Sequence, residues 1–331
     1  MHRMQGKIIS FILVIVGIFL NLVHGAIVEQ TPLFEFHSAI WVNLHHFIRA
    51  EARQRIYDQS QTQTQSQTSI AEDSAWTDAI NFYIQNLAQR DLLLDKSMPV
   101  IKNALEDAED SPDLSNASLP EDLQKTLRSA APIYKSEFWK EQDESNRKWI
   151  QEVSPLLLKF GAPISTKIAA LYQTEWFSKP VRVDVTQSAG PVGAYTTVDD
   201  ANGEPRVTIS SYDPSIRGYY SLEILFHESS HAWGKMLFDS LEDSATRINL
   251  MLPKQFWHLV LFYTAGEITR QELNSAGINI YVPYADKNDL YKNVCESCRD
   301  IIAREWQPYI EGKVDFKTAI DGLVAAAGTK N

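Results

Sequence analysis

The segment Leu222–Phe238 constrains this chain more than any other. It is apolar on nearly every side (Leu222, Leu225, Phe226, Trp233, Met236, Leu237, Phe238), yet it carries His227, Glu228 and His231. A helix apolar all round is a buried helix. Two imidazoles and a carboxylate inside it require polar partners. Four residues advance a helix by about 400° and roughly 6 Å, so His227 and His231 project from one face, one turn apart. Glu228 stands about 100° round from His227, beside that face but off it. This H-E-x-x-H spacing suits two ligands to one zinc ion, an open metal position and a base next to it. The alternative is a chance match, with both histidines hydrogen-bonded in a core.

A third protein ligand has to come from elsewhere in the chain. The longer pattern H-E-x-x-H-x-x-G-x-x-H/D is followed through Gly234 and then fails at Leu237, which has no donor atom. The next candidate is Glu267, within an apolar helical pattern over Pro253–Leu273 that includes Phe256, Trp257, Leu259, Val260, Leu261 and Phe262. A buried carboxylate needs a cation, and Gly266 beside it permits close approach of a neighbouring helix. Its structural alternative is an ion pair with Arg270, three residues on. His258 is the rival ligand. His258 and Glu267 are about 900° apart on one straight helix, so only one of them reaches the metal; Glu267 is the expected one.

On these residues the chain resembles the gluzincin branch of the zincin metallopeptidases. The resemblance covers short strands, the His227-Glu228-Ser229-Ser230-His231 helix and the later Gly266-Glu267 helix. It implies one zinc per chain held by His227, His231 and Glu267, with Glu228 as general base, and a zincin-like core. The sequence departs from that family at Gln271, where many gluzincins carry an aspartate that orients a zinc histidine. Donors for a developing oxyanion would come from the tyrosines around the second helix, with Tyr263 and Tyr281 the first candidates and Tyr284, Arg270 and His258 behind them. In such enzymes the strand at the sheet edge pairs with an extended peptide, a role open to Ala194–Val198.

The rest of the chain reads as predominantly helical α+β. Helical spacing runs over Phe36–Tyr57, Trp76–Leu94, Tyr134–Gln151 and Pro163–Trp176. Valines at 181, 183 and 185 alternate with Arg182, Asp184 and Thr186, and strands follow at Ala194–Val198 and Arg206–Ser210, separated by turn residues 200–203. A small antiparallel sheet is therefore expected just before the H-E-x-x-H helix. Beyond it, helices are expected at about 221–238, 253–273, 287–307 and 316–326. This divides the chain into a helical N-terminal region, 26–178, with an exposed Gln/Thr-rich loop at 59–70, and a catalytic region, 179–331.

Arg3 and Lys7 precede an apolar run over Ile8–Leu20, and Val23 and Gly25 are small residues ahead of Ala26. Residues 1–25 therefore read as a signal peptide and the protein as exported, periplasmic or secreted, with an uncleaved membrane anchor as the alternative. A net charge of −11 argues against nucleic acid or an anionic membrane surface as partner. A peptide or protein substrate is the expected partner. Asn116-Ala117-Ser118 is a glycosylation sequon. Cys295 and Cys298 read as core residues, with a disulfide or redox pair as alternative. His37, His45 and His46 read as packing or capping residues of the first helix. The expected function is hydrolysis of amide bonds by zinc-activated water. Two alternatives stand beside it: a zinc hydrolase of a non-peptide amide or ester, and a non-catalytic exported helical binding protein with a vestigial motif.

Overall fold

Period-two alternation of valine with polar residues marks where the sheet forms and which of its faces is apolar. The computed structural model describes residues 27–60, 74–190, 193–199 and 203–330. The expected signal peptide and nearly all of the Gln/Thr-rich loop lie outside them, as does most of the 200–203 turn. Five strands build one mixed sheet: β1 (Ile27–Gln30), β2 (Phe34–His37), β3 (Val181–Thr186), β4 (Ala194–Val198) and β5 (Pro205–Ser210), in the order β1-β2-β3-β5-β4. β2, β3 and β5 run parallel, and β1 and β4 are antiparallel edges. The predominantly helical α+β class is as expected, but the sheet is mixed rather than antiparallel. After β3 the chain passes over the neighbouring position to form β4, then returns as β5 between the two.

Helices cover both faces. In the first half these are α1 (Ile40–Ser60), α2 (Ser74–Asn86), α3 (Ser97–Ala108), α4 (Glu121–Glu137) and α5 (Trp139–Leu171). α5 runs unbroken through Pro155 and Pro163, where two helices were expected. Each proline costs a backbone hydrogen bond. The stripe Trp149, Val153, Leu157, Phe160, Ile164 and Ile168 continues at helical spacing through both and is buried against the sheet, which offsets that cost.

The second half continues with α6 (Tyr219–Ser230), α7 (Gly234–Arg247), the short β6 (Leu250–Met251), α8 (Phe256–Ser275), α9 (Tyr284–Lys287), α10 (Cys298–Glu305), α11 (Gln307–Ile310), α12 (Phe316–Ala327) and β7 (Thr329–Lys330), which pairs with β6. The single helix expected over 287–307 is replaced by a 3-10 turn at Leu290–Asn293 and α10, and Cys295 and Cys298 join in a disulfide between them.

Two apolar cores result. Val181, Val183, Val185, Val207 and Ile209 pack with α5, α6, α8 and the C-terminal helices. α1 to α4 bury a second core of their own, including Trp41, Trp76, Tyr83, Leu105, Leu127 and Tyr134. These cores divide the chain at other points than 178/179, because Phe34 and Phe36 of β2 and most of α5 belong with the sheet. Among the described residues no helix is long and apolar enough to cross a membrane.

Candidate metal centre

α6 carries His227 in its last turn and ends at Ser230, so His231 opens a 3-10 turn, His231–Trp233. Two serines bond back to the preceding turn at this point. Ser229 Oγ donates to the Leu225 carbonyl and Ser230 Oγ to the Phe226 carbonyl, each at 2.7 Å. Hydroxyls that bond back to the preceding turn bend a helix. The expected single helix over 221–238 is three pieces. Gly234 then lets α8 come close: a Cβ there would lie 2.8 Å from the Trp257 ring. Trp257 is in the first turn of α8, and His258 follows it.

This packing brings His227, His231 and His258 together. One ring nitrogen from each lies within 4.8 Å of the others, and His227 Nε2 is 3.2 Å from His258 Nε2. Phe262, one turn along α8, stacks on the His227 ring at 3.6 Å between centroids. His227 is buried, while His231 and His258 are half-buried. Burial holds His227 well below the usual imidazole range, helped by the other two rings. It also pulls His231 down to about 3 and His258 to about 4. Near neutral pH all three rings are uncharged, the state in which an imidazole nitrogen can ligate a metal. Three neutral nitrogens at this separation fit a zinc ion with one position left open.

Glu228 is buried next to this group but not part of it. The Thr196 hydroxyl of edge strand β4 lies 2.7 Å from Glu228 Oε2 and 3.0 Å from the Glu228 carbonyl oxygen. Burial raises its carboxyl to about 7, against the Thr196 hydrogen bond and the charge of Lys102. Thr196 was legible only as a residue of the predicted edge strand; no motif marked it as a partner of Glu228.

Glu267 is not brought to the histidines, which corrects the expected ligand set. Arg270 donates to both of its oxygens, at 2.6 and 2.7 Å, and Gln271 and Gln307 donate to Oε1. The carboxylate is satisfied by the i,i+3 ion pair, the alternative that the sequence also offered. Gly266 does serve a close approach: a Cβ there would meet Pro283 at 2.7 Å and Glu223 Oε1 at 3.0 Å. The two candidate oxyanion donors are likewise engaged elsewhere. Tyr263 donates to Gln307 at 2.9 Å, and Tyr281 donates to Glu223. Tyr263, Glu267 and Tyr281 line a common cavity of about 450 Å³, and none of the three histidines lines it. Glu223, four residues before His227 on α6, also accepts from the Tyr284 backbone N–H, and burial raises its carboxyl to about 7.

The histidines of the first half have other partners. His37 of β2 meets Glu35 at 2.8 Å, His45 meets the Tyr83 hydroxyl at 2.8 Å, and His46 meets the Tyr195 hydroxyl at 3.1 Å. No family model, curated protein or solved structure matches the chain.

Proposed function

We propose that this chain is an exported zinc-dependent hydrolase that cleaves amide bonds in peptides, with His227, His231 and His258 holding the metal and Glu228 as general base. The observation that carries the reading is the convergence of three neutral imidazole nitrogens within 4.8 Å. Two come from an H-E-x-x-H segment and the third from the first turn of α8.

Zinc bound there would supply a Lewis acid that polarises a carbonyl and brings the pKa of a water towards 7. The chain's own residues supply the rest. The Glu228 carboxylate takes the proton of a water attacking the scissile carbonyl and returns it to the leaving amine nitrogen. Burial favours the protonated form of this carboxyl, so it can hold the proton it takes until the amine leaves. Thr196 holds that carboxylate against β4. Phe262 and Trp257 wall the histidines on two sides and keep their rings in place.

Metal analysis of the purified mature protein tests the reading. The expected content is about one zinc per chain, lost in His227→Ala and His258→Ala and kept in Glu267→Gln. Glu228→Gln is expected to keep zinc and lose peptide cleavage. Zinc that survives His258→Ala and disappears in Glu267→Gln would return the third position to the carboxylate. A metal-free wild-type protein would sink the hydrolase.

A further inference from the structure

A second concave site lies on the other side of β4 from the histidines. Tyr195 and Thr196 are adjacent on that strand; Thr196 reaches Glu228, whereas Tyr195 reaches His46 on α1. His46, Arg49, Arg53, Gln54, Tyr57 and Ser188 are the polar side chains lining a cavity of about 300 Å³ there. This is at the small end of ligand-site volumes.

Its charge is the unusual feature. Arg49 and Arg53 stand one turn apart on α1, and burial and the Arg53 charge both disfavour the charged form of Arg49. Neither has a carboxylate within ion-pair distance among the described residues. Their hydrogen bonds go to backbone carbonyls: Arg49 Nη2 to Arg90 at 2.7 Å and Arg53 Nη1 to Ala88 at 3.1 Å. Arg49 is 4 % exposed and its Nε has no hydrogen-bond partner. Asp91 is the acidic group whose field they share, and its Oδ1 is already taken by the backbone N–H groups of Leu93 and Leu94. No acidic side chain lines the cavity. His46 is held neutral by burial and by the charges around it, so it adds a polar edge but no charge.

Arg49 is buried beside a second guanidinium and carries its charge at a desolvation cost, which an oxyanion bound at the two arginines would offset. A guanidinium binds an oxyanion through two parallel N–H groups, and hydroxyl and amide groups at the rim extend the set of donors. We propose that this cavity is a binding site for a small ligand bearing an oxyanion, carboxylate or phosphate, separate from the candidate metal centre.

Calorimetric titration of the mature, metal-loaded protein at fixed ionic strength tests this, with inorganic phosphate in one arm and succinate in the other. Saturable binding is expected in at least one arm, weakened about tenfold or more by Arg53→Gln and unaltered by Glu228→Gln. Arg53 is exposed, so that variant is expected to fold; Arg49→Gln, where it folds, should lose binding too. Binding of phosphate alone assigns a phosphorylated ligand, and binding of succinate alone a carboxylate. The inference fails if neither arm saturates. It also fails if binding is unchanged in Arg53→Gln, because the anion then sits elsewhere, for instance at the metal. Neither failure touches the hydrolase reading, which rests on zinc content.

Discussion

A single choice at the residue scale separates the expected ligand set from the histidine cluster that the fold brings together. His258 and Glu267 lie on opposite faces of α8, and helical geometry alone says that only one reaches His227 and His231. The sequence favours the carboxylate because an unpaired acid in an apolar helix needs a cation. Arg270 supplies one from three residues away, so the metal is not required for that purpose. The motif itself was legible because i,i+4 spacing is local. The third histidine of the cluster was not, because its approach depends on how two helices pack. His45 shows what burial does to an imidazole away from the candidate centre. Burial and the charge of Arg49 pull it down to about 3. Above pH 6.5 it is neutral in both folded and unfolded chains. As the pH falls, the unfolded chain binds the proton first, so stability is lost from about pH 6.5 down to about 3, at no more than about 1.4 kcal/mol per pH unit. His45→Gln should therefore flatten the fall in unfolding free energy between pH 6.5 and 4, as read from urea transitions. An unchanged acid slope would show that His45 is not held neutral.

Elements whose signals were local came through with little error. β3 and β4 match their predicted bounds, and β5 begins one residue earlier than expected. β1 and β2 were missed: four residues are too few for alternation to stand out, and β3, the strand that joins β2 to the rest of the sheet, lies far along the sequence. The helix expected over 221–238 is interrupted by the 3-10 turn His231–Trp233, which hydrophobic periodicity does not register because the apolar spacing continues through it. Past that break, Gly234 faces the Trp257 ring of α8, and His258 follows Trp257 along that helix. In Gly234→Ala the new methyl would stand 2.8 Å from the Trp257 ring, so the ring has to move. Overpacking of this kind costs about 1–3 kcal/mol. Zinc affinity is expected to fall in this variant while the circular dichroism spectrum stays native. Wild-type affinity in Gly234→Ala would mean that the Trp257–Gly234 contact does not position His258.

Across the whole molecule, the sheet joins two cores, and the joint is ionic. The face of β3 and β5 turned away from the main core carries Arg182, Asp184 and Arg206. Against it α3 sets Lys102 and Glu106, an ion pair at 2.8 Å with both side chains buried. Lys102 also donates to Thr197 Oγ1 at 2.8 Å and to the Arg206 carbonyl at 2.9 Å, so one ammonium ties α3 to β4 and β5. Asp184 stays ionised despite its burial because Arg182 grips both of its oxygens. Burial and the Asp184 charge push Glu106 up, against the pull of Lys102 and Arg182. Breaking a buried pair by removing one partner costs about 3–5 kcal/mol, whereas replacing both with apolar groups is often neutral. Lys102→Met should therefore destabilise strongly. The double variant Lys102→Met/Glu106→Leu should recover most of the loss, since Arg206 keeps Asp107 at 2.6 Å. The single variant's deficit should shrink towards acid, because a Glu106 without its ammonium takes up a proton more readily than it tolerates a bare charge. Equal losses in the single and double variants would mean that the Thr197 and Arg206 contacts, not the ion pair, hold α3 to the sheet. Peptide cleavage should fall further than stability alone requires, because the strand that Lys102 grips at Thr197 is the one that holds Glu228 through Thr196.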